Sequence, residues 1–373
     1  MPERRAVGLA RFASLLLATG VALSGLARFP AIAQPQLPGI PAALKKPEVT
    51  RGKEDFAKSV FLADAAFGSA THIILNPSAD AKLGIAGTAG AVFVSDTGEV
   101  KSRVKFSSRV SFIEFVDVEN DGVWEYLNRG GHGWSDASLL NPEGRGIWTY
   151  GGLPGLDDMA AGDLNGDGVL DFVAGFNGAG GVRGLDKTGA EQWKQPDANV
   201  WHVEVVQTKD KGTAEIVHSN AGGQMTVRDP SGKVLRRSRP GTYFSKFSVC
   251  RWPTSKDTPH LLATGDDVVL LIDLDGATDV TLEAPHAVQV QSSARGAAVR
   301  FKAGEPPHLA VIVEFGHWRV SALYLYNHEH ELVYQEIIAD SCRSLAALPR
   351  DNSDAEDLLV GGTGKVWKYT MTK

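Results

Sequence analysis

The sequence predicts an all-β fold: a seven-bladed β-propeller of four-stranded blades, closed by an N-terminal strand. Three observations carry this. A short apolar run recurs seven times at intervals of roughly 43–49 residues, a period that belongs to propellers and arrays. Each period also holds an apolar or alternating stretch upstream and a strand with an Asp-to-Gly turn downstream, enough for four short strands. The 3.6-residue pattern of an amphipathic helix is nearly absent from residues 53–373.

Lys82, Glu125, Asp171, Glu215, His260, His308 and Asp357 each stand just before an apolar run, such as Phe172-Val173-Ala174 or Leu309-Ala310-Val311-Ile312-Val313. Upstream stretches include Phe112-Ile113-Glu114-Phe115-Val116 and Val203-Glu204-Val205-Val206. Downstream turns include Asp96-Thr97-Gly98, Asp186-Lys187-Thr188-Gly189, Asp229-Pro230-Ser231-Gly232 and Asp273-Leu274-Asp275-Gly276. The last period supplies only three strands before Lys373. An open strand edge is a liability, so the spare segment Ser59-Val60-Phe61-Leu62-Ala63 is expected to be the outer strand of the last blade.

The N-terminus reads as a targeting signal. Arg4, Arg5 and Arg11 precede an apolar stretch from Phe12 to Ala27, and Ala31-Ile32-Ala33 is a small-residue cleavage site. Residues 1–33 are therefore expected to be a secretory signal peptide, of the Sec type rather than twin-arginine, giving a secreted or periplasmic product. Pro35, Pro38, Pro41 and Pro47 make 34–52 an extended linker, and 53–373 is the propeller domain. No segment after the signal is long and apolar enough to span a bilayer. With 373 residues, 43% of them hydrophobic, the chain can bury a large core. A net charge of −6 gives no reason to expect a nucleic-acid surface. Cys250 and Cys342 fall in blades that are not neighbours and read as buried free thiols.

One stretch carries metal chemistry. Asp163, Asn165, Asp167 and Asp171 place side-chain oxygens at the first, third, fifth and ninth positions, and the carbonyl of Val169 can add another. A calcium ion takes six to eight oxygens, and Gly166 and Gly168 permit the tight turn that would aim them inward. The loop opens into a strand and has Ala174 where an EF-hand has its closing glutamate. Asp117, Glu119, Asp121, Val123 and Glu125 repeat the spacing as a second, weaker candidate, and Asp351, Ser353 and Asp357 are a degenerate copy. Lys209 and Lys211 stand at ligand positions in the fourth blade and would exclude a cation.

The nine-residue loop, with Ala-Gly before it and Phe-Val-Ala-Gly after it, resembles the FG-GAP and VCBS-type repeats of integrin-α-like β-propellers. The resemblance implies a loop between the first two strands of a blade. Because propellers usually bind partners on the opposite face, the calcium is read as structural. Candidates on that opposite face are His132, Trp134, Asp158, His202, His218, Tyr243, His286, Trp318 and Arg319. Aromatic, His and Arg side chains gathered over one channel can grip a sugar or a peptide. Asp157-Asp158 reads as a solvated loop, with an acid pair as the alternative.

No nucleophile elbow, zinc-protease helix or phosphate-cradling loop is present. Leu185-Asp186-Lys187-Thr188-Gly189-Ala190-Glu191-Gln192-Trp193 is similar to the Asp-x-x-Thr-Gly-x-x-x-Trp blade motif of PQQ-binding quinoproteins, where the Trp locks neighbouring blades. Asp96-Thr97-Gly98 and Asp229-Pro230-Ser231-Gly232 lack that Trp, so the likeness is read as blade architecture. The expected function is that of an exported, calcium-stabilised binding or scaffold module for carbohydrate or protein. The alternative is an enzyme on the same scaffold, a PQQ-type oxidoreductase or a polysaccharide lyase.

Overall fold

Seven antiparallel sheets follow one another along the chain, five of them built only from strands adjacent in sequence. The structure is a computed structural model. It describes residues 49–51, 54–107, 110–131, 136–151, 155–208, 214–252, 259–287, 292–316 and 318–372. The expected signal peptide, and the expected linker apart from 49–51, lie outside them, as do Lys209 and Lys211.

The first strands of the blades are Ala70–Ser78, Ile113–Val116, Leu156–Gly162, Val200–Gln207, Phe247–Cys250, Ser292–Val299 and Ser344–Pro349. In six of the seven neighbouring pairs the first strand packs beside the first strand of the next blade, and the last returns to the first, so these strands line the axis of a ring. The second strands carry the apolar runs of the sequence period. His308–Phe315 is buried at every position, because blades cover it on both faces. The outermost strands, such as Val234–Ser238, alternate half-buried and exposed positions, as a strand with one packed face should.

The core lies between blades. Val116, Leu127 and Leu139 of blade 2 pack with Met159, Phe172 and Ala174 of blade 3. Fully burying a side chain such as Phe172 is worth about 1.5–3 kcal/mol. Outer strands also clasp the turn of the following blade. Trp148 of blade 2 lies over Gly189 and donates from Nε1 to the carbonyl of Lys187 at 3.1 Å. Trp193 of blade 3 lies over Gly232 in the same way. A Cβ on Gly232 would sit 2.6 Å from that ring, and its φ of +81° also favours glycine. Trp193 of the quinoprotein-like motif is thus an inter-blade contact, and Trp148 is its counterpart.

Phe56–Ala63 pairs antiparallel with Lys365–Met371 and completes blade 7, as the spare apolar segment predicts. The Nζ of Lys58 then reaches Glu336 of blade 6, whose carboxylate also accepts the hydroxyls of Tyr334 and Tyr369 at 3.0 and 2.8 Å. One feature departs from the expected organisation. Val49–Arg51, inside the stretch read as linker, pairs with Tyr334, Gln335 and Glu336 and makes blade 6 five-stranded. The outer strand of that blade offers unpaired backbone groups, and three residues are too few to show a strand period. Cys250 and Cys342 are buried free thiols, as expected. Among the described residues no helix is long and apolar enough to cross a membrane.

Deleting residues 54–63 should strip blade 7 of its outer strand. The expected result is a melting temperature lower by more than about 10 °C, at about 2–4 °C per kcal/mol for a chain of 150–250 residues. Unchanged melting by circular dichroism would contradict closure by this strand.

Candidate functional site

The largest gathering of charge lies at the axis. Arg129 follows the second strand of blade 2, Glu125–Asn128, and is only 2% exposed. Its Nε and Nη2 meet the two carboxylate oxygens of Asp158 on blade 3 at 3.0 and 2.9 Å. Nη1 donates to Glu114 of blade 2 at 2.9 Å and to Glu204 of blade 4 at 3.0 Å. Nη2 also donates to the carbonyl of Val203 at 2.8 Å. His202 completes the cluster. Its Nδ1 lies 2.6 Å from Asp158, and its Nε2 lies 3.3 Å from Glu204 and 2.7 Å from the carbonyl of Phe247 on blade 5. Both ring nitrogens face acceptors, which suits a doubly protonated imidazolium.

The electrostatics follow from this packing. Burial opposes the charges of Arg129, Asp158, Glu204 and His202, and mutual pairing outweighs it. Burial would raise Asp158, but Arg129 and His202 hold its carboxyl well below the usual range. Burial would likewise raise Glu204, and Arg129 and His202 hold it down. Burial would lower His202, yet Asp158 and Glu204 push its imidazole up to about 9. Phe112, just before the first strand of blade 2, lies with its ring centre 5.7 Å from the Arg129 guanidinium and 4.6 Å from that of Arg295 on blade 6. His72 of blade 1 accepts the Phe115 amide on Nδ1 at 2.9 Å. Blades 2 to 5 thus supply the hydrogen bonds of one cluster, and Phe112 beside it meets Arg295 of blade 6.

Of the candidates read for this face, the structure brings Asp158 and His202 together. Asp157 and Asp158 are 4% and 8% exposed on a strand, so the solvated-loop reading is corrected: the carboxylate of Asp158 is claimed by Arg129. His132 and Trp134 lie outside the described residues. His218 is buried on the second strand of blade 4, takes a hydrogen bond from Arg228 Nε at 3.1 Å, and is pushed by burial down to about 4. Tyr243 donates to the carbonyl of Ala221, bracing a turn. The His286 amide donates to the Tyr324 hydroxyl at 3.3 Å. Trp318 packs on Phe315, and Arg319 takes a φ of 53° in the same turn. Arg129, Glu114, Glu204, Phe112 and Arg295 were not singled out from sequence. Arg129 lies 29 residues from Asp158 and 75 from Glu204, and no local pattern signals such pairs.

The two acidic loops lie where the resemblance implies, between the first and second strands of blades 3 and 2. In the first, Asp163 accepts the amides of Gly166 and Gly168 at 2.7 and 2.9 Å, and Asp167 accepts that of Val169 at 2.8 Å. In the second, Asp117 accepts the amides of Asp121 and Gly122 at 3.0 and 2.9 Å, and Asp121 accepts that of Val123 at 2.8 Å. The loops are tied directly: the Leu170 amide donates to the Val118 carbonyl at 2.8 Å. Glu119 is drawn out of its loop to Lys187 at 2.7 Å. Burial, then the charges of Asp167 and Asp163, raise the carboxyl of Asp171, so the three acids of the first loop share one small volume. Among the described residues no three His, Cys, Asp or Glu side chains form a ready-made metal cage; these carboxylates are turned onto backbone amides. A cavity of about 500 Å³ opens beside the first loop, lined by Asp167, Asp171, Asp186, Lys187, Gln192 and Trp193 among others.

No protein-family model matches the sequence, and no curated protein matches it. Among solved structures, the fold is similar to BBS1N in complex with ARL6DN soaked with mercury, at 14% identity and a TM-score of 0.56, over 87% of this chain and 98% of that one. The lead-soaked form of the same complex gives 13% identity and a TM-score of 0.57 over the same shares, 87% and 98%. The Pan2 WD40 domain of Neurospora crassa gives 11% identity and a TM-score of 0.48, over 86% of this chain and 96% of that one. At these identities the likeness is one of fold.

Two outcomes test the axial cluster. Replacing Arg129 with Met leaves three carboxylates facing each other and should cost about 3–5 kcal/mol in urea melts. Because His202 is raised from its ordinary 6.5 to about 9, its stabilisation is complete below 6.5 and lost as pH rises through 9. The melting temperature should therefore fall across that window, and His202→Gln should flatten the fall. Parallel pH profiles for the two chains would contradict the pairing.

Proposed function

We propose that the chain is an exported, calcium-stabilised propeller acting as a binding or scaffold module for a carbohydrate or protein partner. The observation that carries this is the pairing at the axis. Arg129, Asp158, His202, Glu114 and Glu204 satisfy one another, so they hold one face of the ring rigid rather than standing ready to exchange protons with a substrate. A rigid rim of loops suits recognition, since less ordering entropy is lost on binding. BBS1N, similar in fold, is seen in complex with ARL6DN, an arrangement that fits this reading. Export rests on Arg4, Arg5, the apolar stretch after them and Ala31-Ile32-Ala33.

The oxygens of Asp163, Asn165, Asp167 and Asp171 and the carbonyl of Val169 would hold the calcium ion. The cation would supply the charge that three crowded carboxylates call for; burial first, and then this crowding, raises Asp171. In the second loop Glu119 is engaged by Lys187, so the first loop is the site proposed. Calcium held there is structural: it braces the corner of blade 3 and stabilises the ring by binding the folded state.

Calorimetric titration with calcium should show one site, abolished in Asp163→Asn and Asp171→Asn. At a free concentration 100 times Kd the gain in stability should be about 2.7 kcal/mol. No uptake by the parent chain would end the calcium reading. Retention on glycan or protein arrays without cleavage would support a binding module, whereas product formation would turn the reading to an enzyme.

A further inference from the structure

The tryptophan clasp between blades is made twice, and the two copies differ. In the first, Trp148 Nε1 donates to the carbonyl of Lys187 at 3.1 Å. Pro230 holds the place of Lys187 in the next blade, where Asp229-Pro230-Ser231-Gly232 matches Asp186-Lys187-Thr188-Gly189. Trp193 lies over Gly232 as Trp148 lies over Gly189, but its Nε1 meets no acceptor among the described residues. The cavity of about 500 Å³ opens at this second clasp, with Trp193 and Pro230 both in its wall. The indole is fixed there. A Cβ on Gly184 would sit 2.2 Å from it and one on Gly232 2.6 Å, so glycines of two blades hold the ring. The polar lining is fixed as well. Asp186 Oδ1 accepts the Thr188 hydroxyl at 2.6 Å and the amides of Thr188 and Ala190 at 2.8 and 3.1 Å. Its Oδ2 accepts Gln192 Nε2 at 2.8 Å, which leaves Gln192 Oε1 without a donor among the described residues. Lys187 sends its ammonium to Glu119 at 2.7 Å. Asp167 and Asp171 stand both in the acidic loop and in the cavity wall.

We propose that this cavity, between the turns of blades 3 and 4, binds an uncharged saccharide. Its volume falls within the range of about 300–1,000 Å³ typical of small-molecule sites. A sugar ring has an apolar C–H face and a belt of hydroxyls that both donate and accept. An indole answers both needs, with an apolar body and an N–H. Trp193 Nε1 and Gln192 Oε1 supply a donor and an acceptor, and Asp167 and Asp171 add ionised acceptors, which make the stronger hydrogen bonds. Because two blades already hold Trp193, little ordering entropy is lost when a ring settles on it. The charge of the wall sets selectivity. Asp167, Asp171 and Asp186 outnumber Lys187, whose charge Glu119 already meets, so a uronic acid is repelled. The site deepens the binding-module reading and rests on it: it names a neutral sugar as the ligand and places it away from the axis.

The test is calorimetric titration of the full chain, in calcium-containing buffer, with maltotriose, mannotriose and chitotriose as neutral sugars. Trigalacturonate serves as the acidic sugar and a blocked tri-lysine peptide as a basic protein segment. The expected result is saturable binding of at least one neutral trisaccharide and none of trigalacturonate. Trp193→Phe keeps an aromatic ring at the clasp but loses the N–H, and should bind at least about threefold more weakly. If that variant does not fold, Gln192→Arg changes an exposed position, where substitutions cost little stability, and should abolish binding by filling the mouth of the cavity. Binding of no neutral sugar, binding of the peptide alone, tighter binding of trigalacturonate, or parent-like binding by a folded variant would overturn the site. A chain that retains a protein on an array but binds no sugar keeps the binding-module reading and loses this one. A chain that binds a neutral sugar at Trp193 and then cleaves it keeps this site and loses the module reading.

Discussion

Every sheet has two edges, and a ring of sheets holds only if the edges at its seam are covered. That constraint governs the whole structure. Blade 7 begins with Ser344–Pro349 and has three strands from the C-terminal end of the chain. Its fourth comes from Phe56–Ala63, paired residue by residue with Lys365–Met371. The same N-terminal segment then binds blade 6 through Val49–Arg51, through Lys58 to Glu336, and through Glu54 to His308 at 2.8 Å. Two blades are thereby stapled by a stretch that belongs to neither in sequence.

At the axis the constraint is charge. A guanidinium as buried as that of Arg129 is tolerated only when carboxylates meet it with good geometry. Those acids come from blades 2, 3 and 4, so the pairing forms only when the blades stand in register around the ring. Hydrophobic packing between blades is permissive about small rotations. A bidentate Arg–Asp contact is directional, and it fixes how neighbouring blades face one another.

The fold was legible because a propeller writes its period into local sequence. Glu125, Asp171, His260 and His308 begin second strands, and Lys82, Glu215 and Asp357 are the second residues of theirs. The closing strand was legible as a surplus apolar segment. The acidic loops fell where their spacing placed them, since turn chemistry is local. Trp148 was readable too: it follows Gly144 by four residues, as Trp193 follows Gly189. The axial cluster was not readable. Asp158 looks like a loop acid because nothing beside it in sequence announces Arg129, and Arg295 meets Phe112 only across the ring. Val49–Arg51 escaped because its strand character comes from the edge it joins.

The seam also sets the order of events when the chain is made. Lys58 and Glu336 are separated by 278 positions, and the strand that receives Phe56–Ala63 follows every other strand of the ring in sequence. The earliest strands of the domain must therefore stay unattached while six blades emerge. Long-range pairing of this kind is slow to form and exposes sticky backbone meanwhile. A chain built this way depends on finishing: truncation near the C-terminus would leave both of its ends without a mate, and a ribosome stalled there would hold an open arc.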